Sequence, residues 1–167
     1  MALLSSFLCR FPFLLLIGFA AIPAAQAASE TPRPFVSGSL QKIVAEREGK
    51  PFILAVWSVT CTHCPEELKA LGKLKAAHPA LDIVLVAADA PEDAPQAAAL
   101  AKRYGLARAP QWVFADEAPE RLRYEIDRRW HGELPRTYFY DRQHAVEAVS
   151  GRVPASQLAQ WVRENVR

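Results

Sequence analysis

The chain has 167 residues, 51% of them apolar and 23% charged, which suits one globular domain and excludes a disordered chain, a collagen-like chain and a bundle of membrane helices. Twenty Lys and Arg against 18 Asp and Glu leave a formal net charge of +2 with no basic arm, so composition gives no electrostatic case for a nucleic-acid partner. Three cysteines, Cys9, Cys61 and Cys64, are too few for a disulfide scaffold, and their placement carries more information than their number.

The first 27 residues read as a signal peptide. Met1 to Arg10 carries one positive charge, Phe11 to Ile22 is apolar, and Ala25-Gln26-Ala27 has the small-x-small pattern that precedes cleavage. The alternative is an uncleaved N-terminal membrane anchor, because Phe11 to Ser29 is free of charge over 19 residues, although Pro12, Pro23 and Gln26 weaken it as a span. Cys9 precedes the apolar stretch, unlike a lipid-modified cysteine, and is expected to be lost with the leader. Cleavage leaves 140 residues with 19 basic and 18 acidic side chains and only Cys61 and Cys64. In an exported protein such a pair can be oxidised, or cycle.

Residues 28–39, with Pro32, Pro34 and Gly38, read as an extended lead-in, and a domain is expected over 40–167. Leu40 to Glu48 has helical spacing and ends at Gly49. Pro51 to Val59 is a continuous apolar run, as for a strand buried on both faces. A helix is expected from Pro65 to Ala77, with Leu68, Leu71 and Leu74 on one face, then a second buried strand from Leu81 to Ala88. Ala94 to Tyr104 reads as a helix ending at Gly105, Gln111 to Ala115 as a short strand, and Glu117 to about Arg129 as a helix. Thr137 to Asp141 and Ala145 to Ser150 suggest an antiparallel hairpin, and Leu158, Trp161 and Val162 mark a closing helix after Pro154. The fold class is therefore α/β, a mixed central β-sheet flanked by helices.

Cys61-Thr-His-Cys64 lies between a buried strand and the first turn of a helix. Unpaired N–H groups and the helix dipole there favour a thiolate. Cys61 is expected on the exposed side as the attacking thiol, and Cys64, followed by Pro65, inside the helix start as the resolving thiol. The other readings are an inert disulfide and half of a zinc site, but no second cysteine pair follows, so no metal is assigned. His63 between the cysteines would stabilise a thiolate if protonated; otherwise it is an exposed loop residue. Glu67, on the first helical turn, is a candidate proton donor or acceptor for Cys64, or else complements the helix dipole, a role that suits Glu66 better. Trp57 is a candidate substrate contact, with a core role as the competing assignment. Arg121, Arg123, Arg128 and Arg129 read as a solvated face, and His78 and His144 as surface residues.

These residues resemble the thioredoxin-like superfamily, specifically the exported TlpA-like and ResA-like thiol-disulfide oxidoreductases, from about Leu40 to the C-terminus. The resemblance rests on Trp57 to Cys64, on the strand-helix-strand-helix passage from Leu81 to Arg129, and on Leu134-Pro135 before Thr137-Tyr-Phe-Tyr-Asp141. It implies a thioredoxin-like fold with a strand-helix insertion before the cis-proline strand. It also assigns substrate contact to Leu134 and Pro135, with Pro135 cis; Pro110 is a rival for that position. Glu67 falls where this branch often carries an acidic residue. Thr60 replaces a usual tryptophan, Arg136 a common threonine, and the hairpin turn lacks its glycine.

The function this resemblance implies is reduction of disulfides in exported proteins, without a cofactor, in the periplasm or anchored in the inner membrane facing it. A membrane thiol would donate the electrons. Two alternatives stand beside it. One is a DsbA-type dithiol oxidase, suggested by His63, although 140 residues leave no room for the helical insertion of such oxidases. The other is a copper-binding or delivery module using Cys61, Cys64 and His131, since soft thiolates suit Cu(I).

Overall fold

The structure, a computed structural model, describes residues 31–166; the signal-peptide and anchor assignments for 1–27 lie outside the described residues. In chain order the elements are β1 (Arg33–Phe35), α1 (Ser39–Ala45), β2 (Phe52–Trp57), α2 (Cys64–Ala77), β3 (Asp82–Ala87), a 3-10 turn (Pro91–Asp93), α3 (Ala94–Arg103), β4 (Gln111–Phe114), α4 (Pro119–Ile126), β5 (Arg136–Tyr140), β6 (Val146–Ser150) and α5 (Ala155–Asn165). The strands form one sheet in the order β1-β4-β3-β2-β5-β6. The first four of these neighbours run parallel, whereas β5 is antiparallel to both β2 and β6.

The apolar run of β2 is buried at every position because both faces of the sheet are covered. Ile53, Ala55 and Trp57 face a core shared with α2, α3 and α5, while Phe52, Leu54 and Val56 face a second core shared with α1 and α4. This two-residue alternation divides one strand between two hydrophobic layers. Full burial of each such large side chain contributes about 1.5–3 kcal/mol, so β2 anchors both layers and holds the segment that follows it.

Four expectations are corrected. The lead-in is not merely extended, since Arg33–Phe35 adds an edge strand parallel to β4. Phe35, 1% exposed, stacks on Phe114 with centroids 5.5 Å apart. The first helix spans Ser39–Ala45 and not 40–48. The fourth stops at Ile126, short of Arg129, where Asp127 turns extended and its carboxylate accepts the Arg129 N–H and the Arg136 guanidinium. His144, expected at the surface, is half-buried. At φ 57° it takes the left-handed place of the missing turn glycine, and its ring lies 2.9 Å from the Arg47 carbonyl, stacked edge-on against Phe52 and Tyr140.

Candidate active site

Cys61 and Cys64 form a disulfide at the N-terminus of α2, with their Cα atoms 5.4 Å apart. Cys64, the first residue of α2, is fully buried and belongs to the core; Cys61, in the preceding loop, is half-buried. The Cys64 main-chain N–H points at Cys61 Sγ over 3.2 Å. That amide is one of the unpaired donors of the helix start, so it would partner a thiolate on Cys61 when the disulfide opens. Exposure and N–H donation thus distinguish the two sulfurs.

His63 is the N-cap of α2 and is exposed. With Glu66, Leu134, Gly151 and Arg152 it lines a cleft of about 350 Å³ beside the disulfide loop. Leu134 enters this cleft from the chain before β5, and the Leu134–Pro135 peptide bond is cis. It is the only cis bond among the described residues, and Pro110 is trans, with its carbonyl accepting the Leu85 N–H at 2.9 Å. Pro135 is buried and its carbonyl accepts the Gly151 N–H at 2.8 Å, whereas Leu134 is half-buried and enters none of the described turn and loop hydrogen bonds. The structure therefore brings His63 and Leu134, 71 positions apart in the sequence, to one cleft.

Glu67 is buried, 1% exposed. One carboxylate oxygen accepts the Thr137 hydroxyl at 3.1 Å and the other accepts the Val153 N–H at 3.0 Å. Burial pushes its carboxyl above the ordinary value; the Val153 and Thr137 hydrogen bonds and the Arg152 charge oppose that shift without cancelling it. A carboxyl raised in this way holds its proton to higher pH than an exposed glutamate. Glu66, by contrast, is exposed and paired with Arg152. Trp57, for which substrate contact and a core role are the two assignments, is 2% exposed and packed in the core, and its ring N–H has no hydrogen-bond partner among the described residues.

Sequence reasoning missed Asp89, just beyond the end of β3. It accepts the Ser58 hydroxyl at 2.6 Å and the Val59 N–H at 3.0 Å, and Ser58 Oγ accepts the Thr60 N–H at 3.1 Å. These bonds fix the loop that carries Cys61. An acid directly after the apolar run of β3 was the available signal. Also missed was the network on the other side of the cleft. Arg136 reaches Asp127 at 2.7 Å, Glu133 at 3.3 Å and the Ser150 hydroxyl, tying the segment before Leu134 to β5 and β6. Burial of Asp127 works against its ionisation, but the Arg129 N–H and the Arg136 guanidinium outweigh it and hold the carboxyl below its ordinary value.

The arginine run behaves as a polar face, with Arg121 paired to Asp116 at 2.6 Å and Arg128 over the Tyr124 ring at 5.2 Å. Among the described residues, no group of three or more His, Cys, Asp or Glu is arranged to hold a metal ion, and no helix is long and apolar enough to cross a membrane.

No protein-family model and no curated protein matches the sequence. Solved structures do. A secreted Mycobacterium tuberculosis disulfide oxidoreductase, described as homologous to E. coli DsbE, superposes with a TM-score of 0.57 at 23% identity, over 72% of this chain and 85% of that one. A thiol:disulfide interchange protein of the thioredoxin family from Chlorobium tepidum gives 0.57 at 17% identity, over 74% and 84%. A DsbF homologue from Corynebacterium diphtheriae gives 0.54 at 18%, over 72% and 75%. The chain has the thioredoxin-like fold, as expected, with β4 and α4 as the strand and helix inserted before the cis-proline strand.

Proposed function

We propose that the protein is an extracytoplasmic thiol-disulfide oxidoreductase that reduces disulfides of exported proteins. The observation that carries the reading is the pairing of a half-buried Cys61, facing the Cys64 N–H at 3.2 Å, with a fully buried Cys64. In the reduced protein the Cys61 thiolate attacks one sulfur of a substrate disulfide. The substrate S–S bond breaks, its other sulfur leaves as a thiolate that takes up a proton, and a mixed disulfide forms on Cys61. Cys64, deprotonated, then attacks Cys61 Sγ, releasing the second substrate thiol and closing the Cys61–Cys64 bond. Two electrons have passed to the substrate, and a membrane dithiol donor returns two to the pair.

Glu67 is the candidate to take the Cys64 proton, because it sits one turn inside the same helix and is buried with it. His63 tunes the Cys61 thiolate from the exposed rim. Leu134, half-buried on the cleft wall, offers main chain and side chain to the substrate polypeptide, and the buried cis Pro135 behind it fixes that presentation. The leader read in residues 1–27 supports a periplasmic location, free or anchored, where substrates with disulfides occur.

Trapping tests the division of labour. Cys64→Ser should accumulate mixed disulfides through Cys61, and Cys61→Ser should accumulate none. Adducts on Cys64 in the Cys61→Ser protein alone would reverse the assignment, and none in either variant would refute the exchange mechanism.

A further inference from the structure

We infer that the groove between α2 and α5 receives an acidic, apolar stretch of the polypeptide whose disulfide is exchanged at Cys61. This rests on the redox reading above and extends it to substrate class. The groove, of about 700 Å³, has a floor of Ala70 and Leu74 from α2 and Leu158 from α5. Leu158 is buried, and Ala70 and Leu74 are half-buried. Lys69 and Lys73, four residues apart and so stacked on one helical face, are exposed along its rim. Neither lysine has an ion-pair partner among the described residues.

Continuity with the redox cleft identifies the occupant. Glu66 and Arg152 line both the cleft that holds His63 and Leu134 and the groove between the helices. Their ion pair spans the junction, which consumes the one acidic group at that end and leaves the two lysines to set the sign of the groove. A polypeptide engaged at Cys61 therefore has a direct path past Glu66 onto the lysine rim. From Glu66 to Ala77 the α2 wall runs about 16 Å at 1.5 Å per residue, the length of about five residues of extended chain at 3.3 Å each. Alternating acidic and apolar side chains would place charges on Lys69 and Lys73 and apolar groups on Leu74 and Leu158.

Two synthetic disulfide peptides test this, identical at the cystine and flanked on both sides by alternating Glu and Leu in one and Lys and Leu in the other. The rate of exchange with the purified, reduced protein is measured, with oxidised glutathione as a third substrate. The acidic peptide should react about fivefold faster at low salt, as two exposed charge pairs allow, and the ratio should fall towards one at high salt. In Lys69→Glu/Lys73→Glu the ratio should invert. Equal rates for both peptides in the unaltered protein, or a ratio that the charge reversal leaves in place, would overturn the groove while leaving the redox reading intact. Failure to exchange with any of the three disulfides would instead overturn the redox reading and the groove with it. A concentration-dependent dimer whose formation abolishes the peptide preference would assign the groove to a second copy and reject the proposal.

Discussion

Glu67 on the redox helix accepts the main-chain N–H of Val153 at 3.0 Å, so one buried carboxylate joins the start of α2 to the loop that leads into α5. Its second oxygen holds Thr137, two residues beyond the cis-proline. Three segments that surround the disulfide thus converge on a single titratable group, which makes that group both a structural tie and a candidate proton carrier.

Glu67 has a measurable pH signature. Its folded-state carboxyl lies above the ordinary value because of burial, so the folded chain binds this proton more tightly than the unfolded chain. The stabilisation is complete below about pH 4.3, the unfolded value, and is lost as pH rises through the folded value. Glu67→Gln removes that loss. Urea unfolding from pH 4 to 8 should show the stability of Glu67→Gln, relative to the unaltered protein, growing with pH and then levelling. A difference that shrinks with pH would contradict the shift.

Asp89 positions the attacking cysteine through its loop. Asp89→Ala leaves the Ser58 hydroxyl and the Val59 N–H without their acceptor and should cost about 2 kcal/mol of stability. Asp89→Asn, which keeps one carbonyl acceptor, should recover part of this. Because the loop sets where Cys61 Sγ meets the Cys64 N–H, the pH profile of Cys61 reaction with a small disulfide should also move in Asp89→Ala and return towards its original position in Asp89→Asn. An unmoved profile would confine Asp89 to stability.

Gly72 is required by close approach. A Cβ there would lie 1.8 Å from the Tyr104 carbonyl oxygen, main chain that cannot rotate away, at the end of α3. Gly72→Ala therefore has to push α2 off its neighbour and should destabilise by about 3 kcal/mol in chemical denaturation, despite the gain in helix propensity. A change within about 0.5 kcal/mol would show that α2 is free to shift.

What the residues announced in advance, and what they hid, follows from the range of the interactions. The runs Phe52–Trp57 and Asp82–Ala87 are legible because strands buried on both faces need apolar side chains at nearly every position. Cys61, Cys64 and their helix start are legible because their spacing is local. β1 is not: three residues interrupted by Pro34 acquire strand geometry only by pairing with β4, some 80 positions away. Asp89 and Arg136 are single polar residues whose partners lie about 30 and 9 positions away, and neither leaves a periodic trace. Trp57 shows the limit of proximity in sequence, since alternation along β2 turns its ring into the core although the chain reaches Cys61 four residues later.

In the proposed function Cys61 and Cys64 are a reducing pair, and their reduction potential reads this directly, by equilibration of the purified protein against glutathione with tryptophan fluorescence as readout. A value at or below about −200 mV, in the range of reducing thioredoxin-like proteins, is predicted. A value near about −120 mV would make the pair an oxidant and His63 its thiolate-stabilising residue, contradicting the direction of electron flow proposed here.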